Sequence, residues 1–454
     1  MIDKSVLREN DIRGVYGKNI TEDFANIVGL AFGTYLKNNN KTDCIVGYDN
    51  RLGGESLAEQ LISGLRKTGV NVILIGMVTT PLLNYATISL KIEAGIIVTA
   101  SHNSKEQNGF KLFGDNYLHL KHSDLEKVYK LIINKQFENK EEIGNIKYIN
   151  MNNEYINMLS KCINPSAKKM KIAIDPGNGT TSLFIKDIIS KYNNVEAIFI
   201  NDKSDGSFPI HNPDPNNDKN LEQLKEIVIK NHCDFGAAYD GDGDRIGIVD
   251  NLGNTIESDK LIAIFARDII PNSDNKKVLM DVKCSNALTI DIEGLNGEAI
   301  MVKNGSAYIE TQMHDLNILI GGEYSGHIFF RDKYYGFDDG IYASLRMYEL
   351  LSNKEQKSSQ LLDKYTHYFN TPEIRIKTTD EKKWNIINKV KEYVKQKNYE
   401  FIDIDGVRVM FNDGWALIRC SNTEPSITMR FEAETNERLK EIKMEFEDLV
   451  NTKV

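Results

Sequence analysis

The run Asp240-Gly241-Asp242-Gly243-Asp244-Arg245 sets three carboxylates at alternate positions with glycine between them. Like charges that close cost on the order of several kcal/mol unless positive charge sits among them. A hard divalent cation is the simplest such charge, and ligands that are all oxygen point to Mg²⁺ or Ca²⁺. An EF-hand loop would need glycine at its sixth position and glutamate at its twelfth. Arg245 and Asn251 stand there instead. Without a metal, the same run would be an acidic turn at the surface.

Three further motifs carry chemistry. In Thr99-Ala100-Ser101-His102-Asn103 a serine lies beside a histidine. Such a serine can act as nucleophile or phosphate carrier, although Ser and Asn also suit a helix N-cap. In Gly321-Gly322-Glu323-Tyr324-Ser325-Gly326-His327 the Glu, Ser and His alternate. On an extended chain they point the same way, which suits adjacent sugar hydroxyls. A polar β-turn is the other reading. In Arg419-Cys420-Ser421-Asn422-Thr423, with Arg430 beyond, a fork of donors suits a phosphate. A capped turn would use the same residues. Together the four runs supply a phosphate carrier, a metal, a hydroxyl grip and a distal phosphate clamp.

The elements that must position them follow from periodicity. Apolar runs at 43–48, 72–75 and 94–98 predict strands, with a helix over 56–67 between the first two. The pattern returns with a strand at 171–174, which ends in the turn 175–179 opening a helix, and strands at 234–239 and 246–249 enclosing the acidic loop. It returns again with strands at 277–280 and 316–320. Three βα blocks of about 100 residues predict a threefold repeat of small α/β domains. Polar stretches at 136–153 and 250–259, and the segment 365–371, are the expected joints. The remaining residues predict a compact α+β module. Its strands are expected at 373–377, 400–405, 407–411, 416–420 and 427–432, and its helices at 380–397 and 437–451.

Composition narrows the function classes. The 454 residues are 41% hydrophobic and 27% charged, which is ordinary for a multidomain globular protein. A net charge of −9 argues against nucleic-acid or membrane-surface binding, which wants a basic face. Cys44, Cys162, Cys233, Cys284 and Cys420 are scattered and odd in number, so a disulfide framework or zinc site is not expected and a cytoplasmic setting is. No signal peptide or membrane span is read.

At these residues the chain resembles the α-D-phosphohexomutase family, closest to its bacterial phosphomannomutase/phosphoglucomutase branch. Thr99 to Asn103 match the phosphoserine loop, Asp240 to Arg245 the metal loop, Gly322 to His327 the sugar loop and Arg419 to Thr423 the phosphate loop. Asp11-Ile-Arg-Gly14, Val46-Gly-Tyr-Asp-Asn-Arg51, Asn108-Gly-Phe-Lys111, His211-Asn-Pro-Asp-Pro215, Asp281-Val-Lys-Cys284, Gly336-Phe-Asp-Asp-Gly340 and Asp405-Gly-Val-Arg408 add to the match. Two positions depart from it: Asn10 replaces a usual Tyr, and Gly305-Ser306 replaces a usual Gly-His.

The resemblance implies an α/β fold of three similar βα-repeat domains plus a C-terminal α+β domain around a central cleft. The expected bounds are 1–153, 154–253, 254–368 and 369–454. It implies interconversion of hexose 1-phosphate and 6-phosphate, of mannose or glucose, through a phosphoserine enzyme and a hexose 1,6-bisphosphate. Alternatives are a phosphoglucosamine mutase and a non-catalytic sugar-phosphate sensor. Ser101 is the implied phosphoryl carrier, with His102, Lys111, Arg13 and Arg245 assisting. One Mg²⁺ is expected on Ser101, Asp240, Asp242 and Asp244, and Lys283, Glu323, Ser325, His327, Arg419, Ser421, Asn422, Thr423 and Arg430 are expected to bind substrate. Hexose phosphates are the expected partners, without nucleic acid or membrane, and the expected assembly is a monomer or weak homodimer. Tyr324 fills the variable position of the sugar loop, and His327 favours the mannose/glucose branch.

Overall fold

The computed structural model describes residues 3–421 and 425–451. The chain forms two compact units, one of Met1–Ser258 with Ser325–Leu361 and the other of Asp259–Tyr324 with Leu362–Val454.

The first unit holds two mixed sheets. One runs in the order Ile12–Val15, Gln107–Phe113, Gly95–Val98, Asp43–Tyr48, Asn71–Met77, Ile146–Tyr148. Asp43–Tyr48 is parallel to Asn71–Met77 and to Gly95–Val98, and Gln107–Phe113 returns antiparallel. The other sheet runs Thr255–Ile256, Ile246–Asp250, Phe235–Tyr239, Met170–Asp175, Val195–Phe199. Met170–Asp175 is parallel to both neighbours, and Ile246–Asp250 returns antiparallel. These inner strands are buried on both faces, which is why they read as continuous apolar runs.

Helices Glu22–Asn38 and Gly54–Lys67 cross at glycines. A Cβ at Gly29 would lie 2.1 Å from the Leu61 carbonyl oxygen, and one at Gly64 would lie 2.2 Å from that of Asn26. Thr21 caps the first helix, its hydroxyl accepting the Phe24 N–H at 3.2 Å. Packed on them is a core that includes Val28, Phe32, Leu61, Leu65, Val46 and Ile96.

In the second unit Lys277–Asp281 lies between parallel Glu298–Val302 and Ile320–Gly322. The C-terminal part is an antiparallel sheet in the order Phe369–Asn370, Ser426–Ala433, Gly414–Cys420, Val407–Phe411, Glu400–Ile402, with Ile374–Lys377 also on Ser426–Ala433. Helices Asp380–Gln396 and Asn436–Asn451 cover it through Ile386, Val390, Val394, Ile442 and Phe446.

The three expected βα blocks share one device at the end of their central strand. Asp49, Asp175 and Asp281 each end a central parallel strand or directly follow it, and each is fully buried. In each, Oδ1 accepts the N–H two residues on: Arg51 at 3.0 Å, Gly177 at 2.8 Å and Lys283 at 3.0 Å. In each, Oδ2 accepts a side chain that follows a parallel neighbour: Thr99 Oγ1 at 2.6 Å, Asn201 Nδ2 at 3.2 Å and Asn304 Nδ2 at 2.9 Å. A buried carboxylate that is fully hydrogen-bonded fixes the loops around it.

Two expectations need correction. The strand expected at 316–320 starts only at Ile320, because helix Ser306–Asp315 runs up to a cap at Leu316 and Asn317 takes a left-handed φ of 49°. The turn at 175–179 opens a 3-10 helix, Thr180–Leu183, before the short helix Ile185–Ile189. The polar stretch at 136–153 also carries an exposed edge strand, Ile146–Tyr148.

The glycine crossing generates a stability prediction. Gly64→Ala should destabilise the protein by about 1–3 kcal/mol, because backbone on both helices must move. Urea unfolding should show the loss. Gly294→Ala is the control, since a Cβ there meets nothing within 4 Å, and it should unfold like the parent.

Candidate active site

The phosphoserine-like loop and the acidic loop occupy equivalent places. Thr99 to Asn103 follow Gly95–Val98, and Asp240 to Arg245 follow Phe235–Tyr239, each strand being parallel to the central strand of its sheet. In the second unit Glu323 follows Ile320–Gly322 in the same relation to Lys277–Asp281. Carboxyl ends of parallel strands are where open α/β sheets place their sites.

Ser101 has a left-handed φ of 51°, which turns the chain sharply. Its N–H donates to Thr99 Oγ1 at 2.9 Å. Arg51 holds the loop from below, donating to the carbonyls of Ser101 at 2.5 Å, Asn103 at 2.6 Å, Ser104 at 2.8 Å and Gln107 at 3.3 Å. Asp49 lies 3.2 Å from Arg51 Nε, and the guanidinium carbon stands 4.9 Å from the centroid of the Phe208 ring. Burial pushes the Asp49 carboxyl up to about 6 against the pull of Arg51.

The Ser101 hydroxyl donates to Asp240 Oδ2 at 2.7 Å. The approach requires glycine at 241, where a Cβ would lie 2.6 Å from the Ser101 carbonyl oxygen. Asp240 Oδ1 accepts the N–H groups of Gly243 at 3.0 Å and Arg245 at 3.2 Å, which closes the loop. Thr80 Oγ1 donates to Asp242 Oδ2 at 2.6 Å. Lys111 Nζ reaches Asp242 Oδ2 at 2.7 Å and also bonds Asp244 Oδ2. Arg245 Nε lies 3.7 Å from Asp240 Oδ2. His327 Nδ1 is 2.6 Å from Asp338 and 3.6 Å from Asp244.

These charges set the protonation of the loop. Burial, with Asp244 and Asp242 beside it, raises the Asp240 carboxyl well above its usual range. Burial pushes Asp244 the same way, but Lys111, His327 and Arg245 hold it low. Asp242 is likewise held low by Lys111 and Thr80.

A hard cation fits this donor set. Asp240, Asp242 and Asp244 each offer an oxygen, and these lie within 4.8 Å of one another. Asp242 Oδ1 and Asp244 Oδ1 are buried without a hydrogen-bond partner among the described residues. All the donors are oxygens, as Mg²⁺ requires.

The rest of the expected set divides between the units. In the first, Arg13 pairs with Asp11 and donates to Asn103 Oδ1 at 3.1 Å. His102 Nδ1 lies 3.3 Å from Asp214. Burial lowers the imidazole to about 4, while His102 and Arg245 draw Asp214 down to about 2 against its own burial. Ser325 is half-buried.

In the second unit, Glu323 Oε1 accepts Asn304 Nδ2 at 2.8 Å and the Gly305 N–H at 2.5 Å. Lys283 Nζ lies 3.6 Å from Asp281 and 3.7 Å from Glu373. Arg419 Nε donates to Asp405 Oδ2 at 2.9 Å. The Ser421 N–H donates to the Ser426 carbonyl at 2.9 Å. Arg430 is fully buried: its guanidinium carbon stands 3.7 Å from the centroid of the Tyr324 ring, and the group bonds the Lys283 carbonyl. Its guanidinium also lies 3.7 Å from Asp259 Oδ2. Asn422 and Thr423 lie outside the described residues.

Sequence reasoning gave no role to Arg51, Thr80, Asp214, Asn304 or Asp338. Arg51, Asp214 and Asp338 did stand in quoted motifs. Thr80 and Asn304 had no local signal, because their partners are 162 and 19 residues away.

Among the described residues, no helix is long and apolar enough to cross a membrane. The models of phosphoglucomutase/phosphomannomutase α/β/α domains I, II and III match residues 4–139, 153–253 and 257–368, and that of the C-terminal domain matches 373–449. A phosphomannomutase/phosphoglucomutase of Pseudomonas putida is 37% identical, over 97% of this chain and 94% of that protein. A phosphoglucomutase of Neisseria meningitidis serogroup A is 34% identical, over 99% and 98%. The crystal structure of a phosphoglucomutase/phosphomannomutase family protein from Burkholderia thailandensis superposes with a TM-score of 0.90 at 31% identity, covering 100% of this chain and 98% of that one. With its four domain types in order along the sequence and a buried serine–triaspartate site, the chain belongs to the phosphoglucomutase/phosphomannomutase family.

Proposed function

We propose that this phosphohexomutase interconverts the 1- and 6-phosphates of mannose or glucose by passing a phosphoryl group through Ser101. The observation that carries the reading is the Ser101 hydroxyl at 2.7 Å from Asp240 on a buried acidic triad. A sensor without catalysis would have no use for that serine on that triad. The four domains are taken as 1–153, 154–253, 254–368 and 369–454.

Apart from the phosphoryl group carried on Ser101, the transfer depends on positioning and charge. Phosphorylated Ser101 donates to the free hydroxyl of a bound hexose phosphate. The serine P–O bond breaks and a sugar P–O bond forms, the sugar hydroxyl gives its proton to a nearby base, and the released serine oxygen takes up a proton. The resulting hexose 1,6-bisphosphate turns over and returns its other phosphate to Ser101. Mg²⁺ held by Asp240, Asp242, Asp244 and a phosphoserine oxygen would neutralise charge on the transferring group. Arg51 fixes the angle of the serine through the loop carbonyls. Lys111 and Arg245 add positive charge on the triad, while His102, Lys111 and Arg13 are the groups to handle the proton.

Turnover of the bisphosphate requires one grip that serves both orientations. Glu323, Ser325 and His327 are assigned to the sugar hydroxyls, with O3 and O4, which lie near the axis of that flip, taken by Glu323 and Ser325. Arg419 and Ser421, with Asn422, Thr423, Arg430 and Lys283, are assigned to the phosphate that is not reacting. Binding energy far from the chemistry then excludes water that would hydrolyse phosphoserine. The free cysteines, four of the five buried, accord with a reducing cytoplasm.

Two experiments test the reading. Wild-type protein incubated with glucose 1,6-bisphosphate should gain the mass of one phosphate, mapping to Ser101. Ser101→Ala should gain none and should lose mutase turnover while keeping its fold by circular dichroism. A variant that still turned over would contradict the assignment.

Chelation should stop turnover and Mg²⁺ should restore it. Asp242→Asn removes one ligand charge, so it should need a higher Mg²⁺ concentration for half-maximal activity. An unchanged Mg²⁺ requirement in that variant would contradict the metal assignment.

A further inference from the structure

Asn304 follows strand Glu298–Val302 and stands where three acidic side chains meet. Its amide nitrogen has two hydrogens and uses both. One goes to Asp281 Oδ2 at 2.9 Å and the other to Glu323 Oε1 at 2.8 Å. Both acceptors are carboxylates, so only one orientation of the amide satisfies them. Asp281 is 0% exposed and Glu323 is 2% exposed, so each depends on the donors it finds in the protein.

The backbone of the same residue reaches the third acid. The Asn304 N–H donates to Asp405 Oδ2 at 3.2 Å, and that oxygen also accepts Arg419 Nε at 2.9 Å. The next N–H, of Gly305, adds a second donor to Glu323 Oε1 at 2.5 Å. With two donors on one oxygen, the plane of the Glu323 carboxylate is set by the 304–305 turn. Charge-assisted bonds of this kind are stronger and more directional than neutral ones.

We infer that Asn304 is a positioning residue for sugar recognition: its side chain orients the Glu323 carboxylate, and its backbone ties the same turn to Asp405 and Arg419. The inference rests on the reading of Glu323 as an acceptor for sugar hydroxyls. Side chain and backbone thus serve different ends of the substrate. Substitution of the side chain disturbs the grip on the sugar and leaves the N–H bond to Asp405 in place.

Calorimetric titration in a Ser101→Ala background separates binding from chemistry. Asn304→Ala should weaken glucose 1-phosphate by about tenfold, the equivalent of one hydrogen bond to a charged group. Inorganic phosphate should bind as in the parent. Asn304→Ser keeps one donor and should recover part of the loss. In a Glu323→Gln background, Asn304→Ala should cost no further affinity, because its effect runs through Glu323. If Glu323→Gln weakens the sugar phosphate while Asn304→Ala and Asn304→Ser do not, the positioning role is overturned and the grip stands. If the two losses simply add, the role is likewise overturned. If Glu323→Gln binds glucose 1-phosphate normally, the grip itself is wrong and the inference falls with it.

Discussion

Three carboxylates buried within five residues cannot all be charged unless positive charge is brought to them. Asp240, Asp242 and Asp244 are at most 1% exposed. Isolated, they would hold protons and bind nothing. The first unit supplies the compensation from several places in the sequence: Lys111 from the strand that returns beside the serine loop, Arg245 from the acidic loop itself, and His327 from beyond residue 324. Asp240 is the carboxylate driven upward by burial and by Asp244 and Asp242, and it is the one that accepts the Ser101 hydroxyl. The demand for counter-charge is therefore felt most at the contact with Ser101. A cation on the triad and a phosphate on the serine would each relieve what the other creates.

The fold meets this demand by repetition. Asp49, Asp175 and Asp281 fasten corresponding turns in the three α/β blocks, each bonding an N–H two residues on and a side chain after a neighbouring parallel strand. The loops that carry Ser101, the triad and Glu323 each follow the parallel strand on one flank of that central strand. The scaffold is thus one device used three times, and the chemistry differs only in the residues that the loops present. In the first block the fastened side chain, Thr99, lies in the serine loop itself. In the third, Asn304 passes the constraint on to Glu323.

The strands, and the Ser101–Asp240 contact, were legible in the sequence because apolar runs and motif spacing are local signals. Strands 43–48 and 407–411 appear where the sequence pattern placed them. Ser101 and the aspartates announced themselves by spacing. The strand expected at 316–320 was misplaced because Leu316 suits both a strand start and a helix cap, and only the left-handed Asn317 decides between them. The positioning residues stayed hidden for another reason. Thr80 and Asn304 are ordinary polar residues whose importance lies in partners remote in sequence.

The account's central claim is that the phosphate leaving Ser101 is the one that ends on the product. Enzyme phosphorylated on Ser101 with ³²P and mixed with excess unlabelled glucose 1-phosphate tests it in a single turnover. The label should appear in glucose 6-phosphate, by way of glucose 1,6-bisphosphate, while Ser101 acquires unlabelled phosphate from the substrate. Label that stayed on the protein while glucose 6-phosphate formed, or that left as inorganic phosphate, would contradict the account.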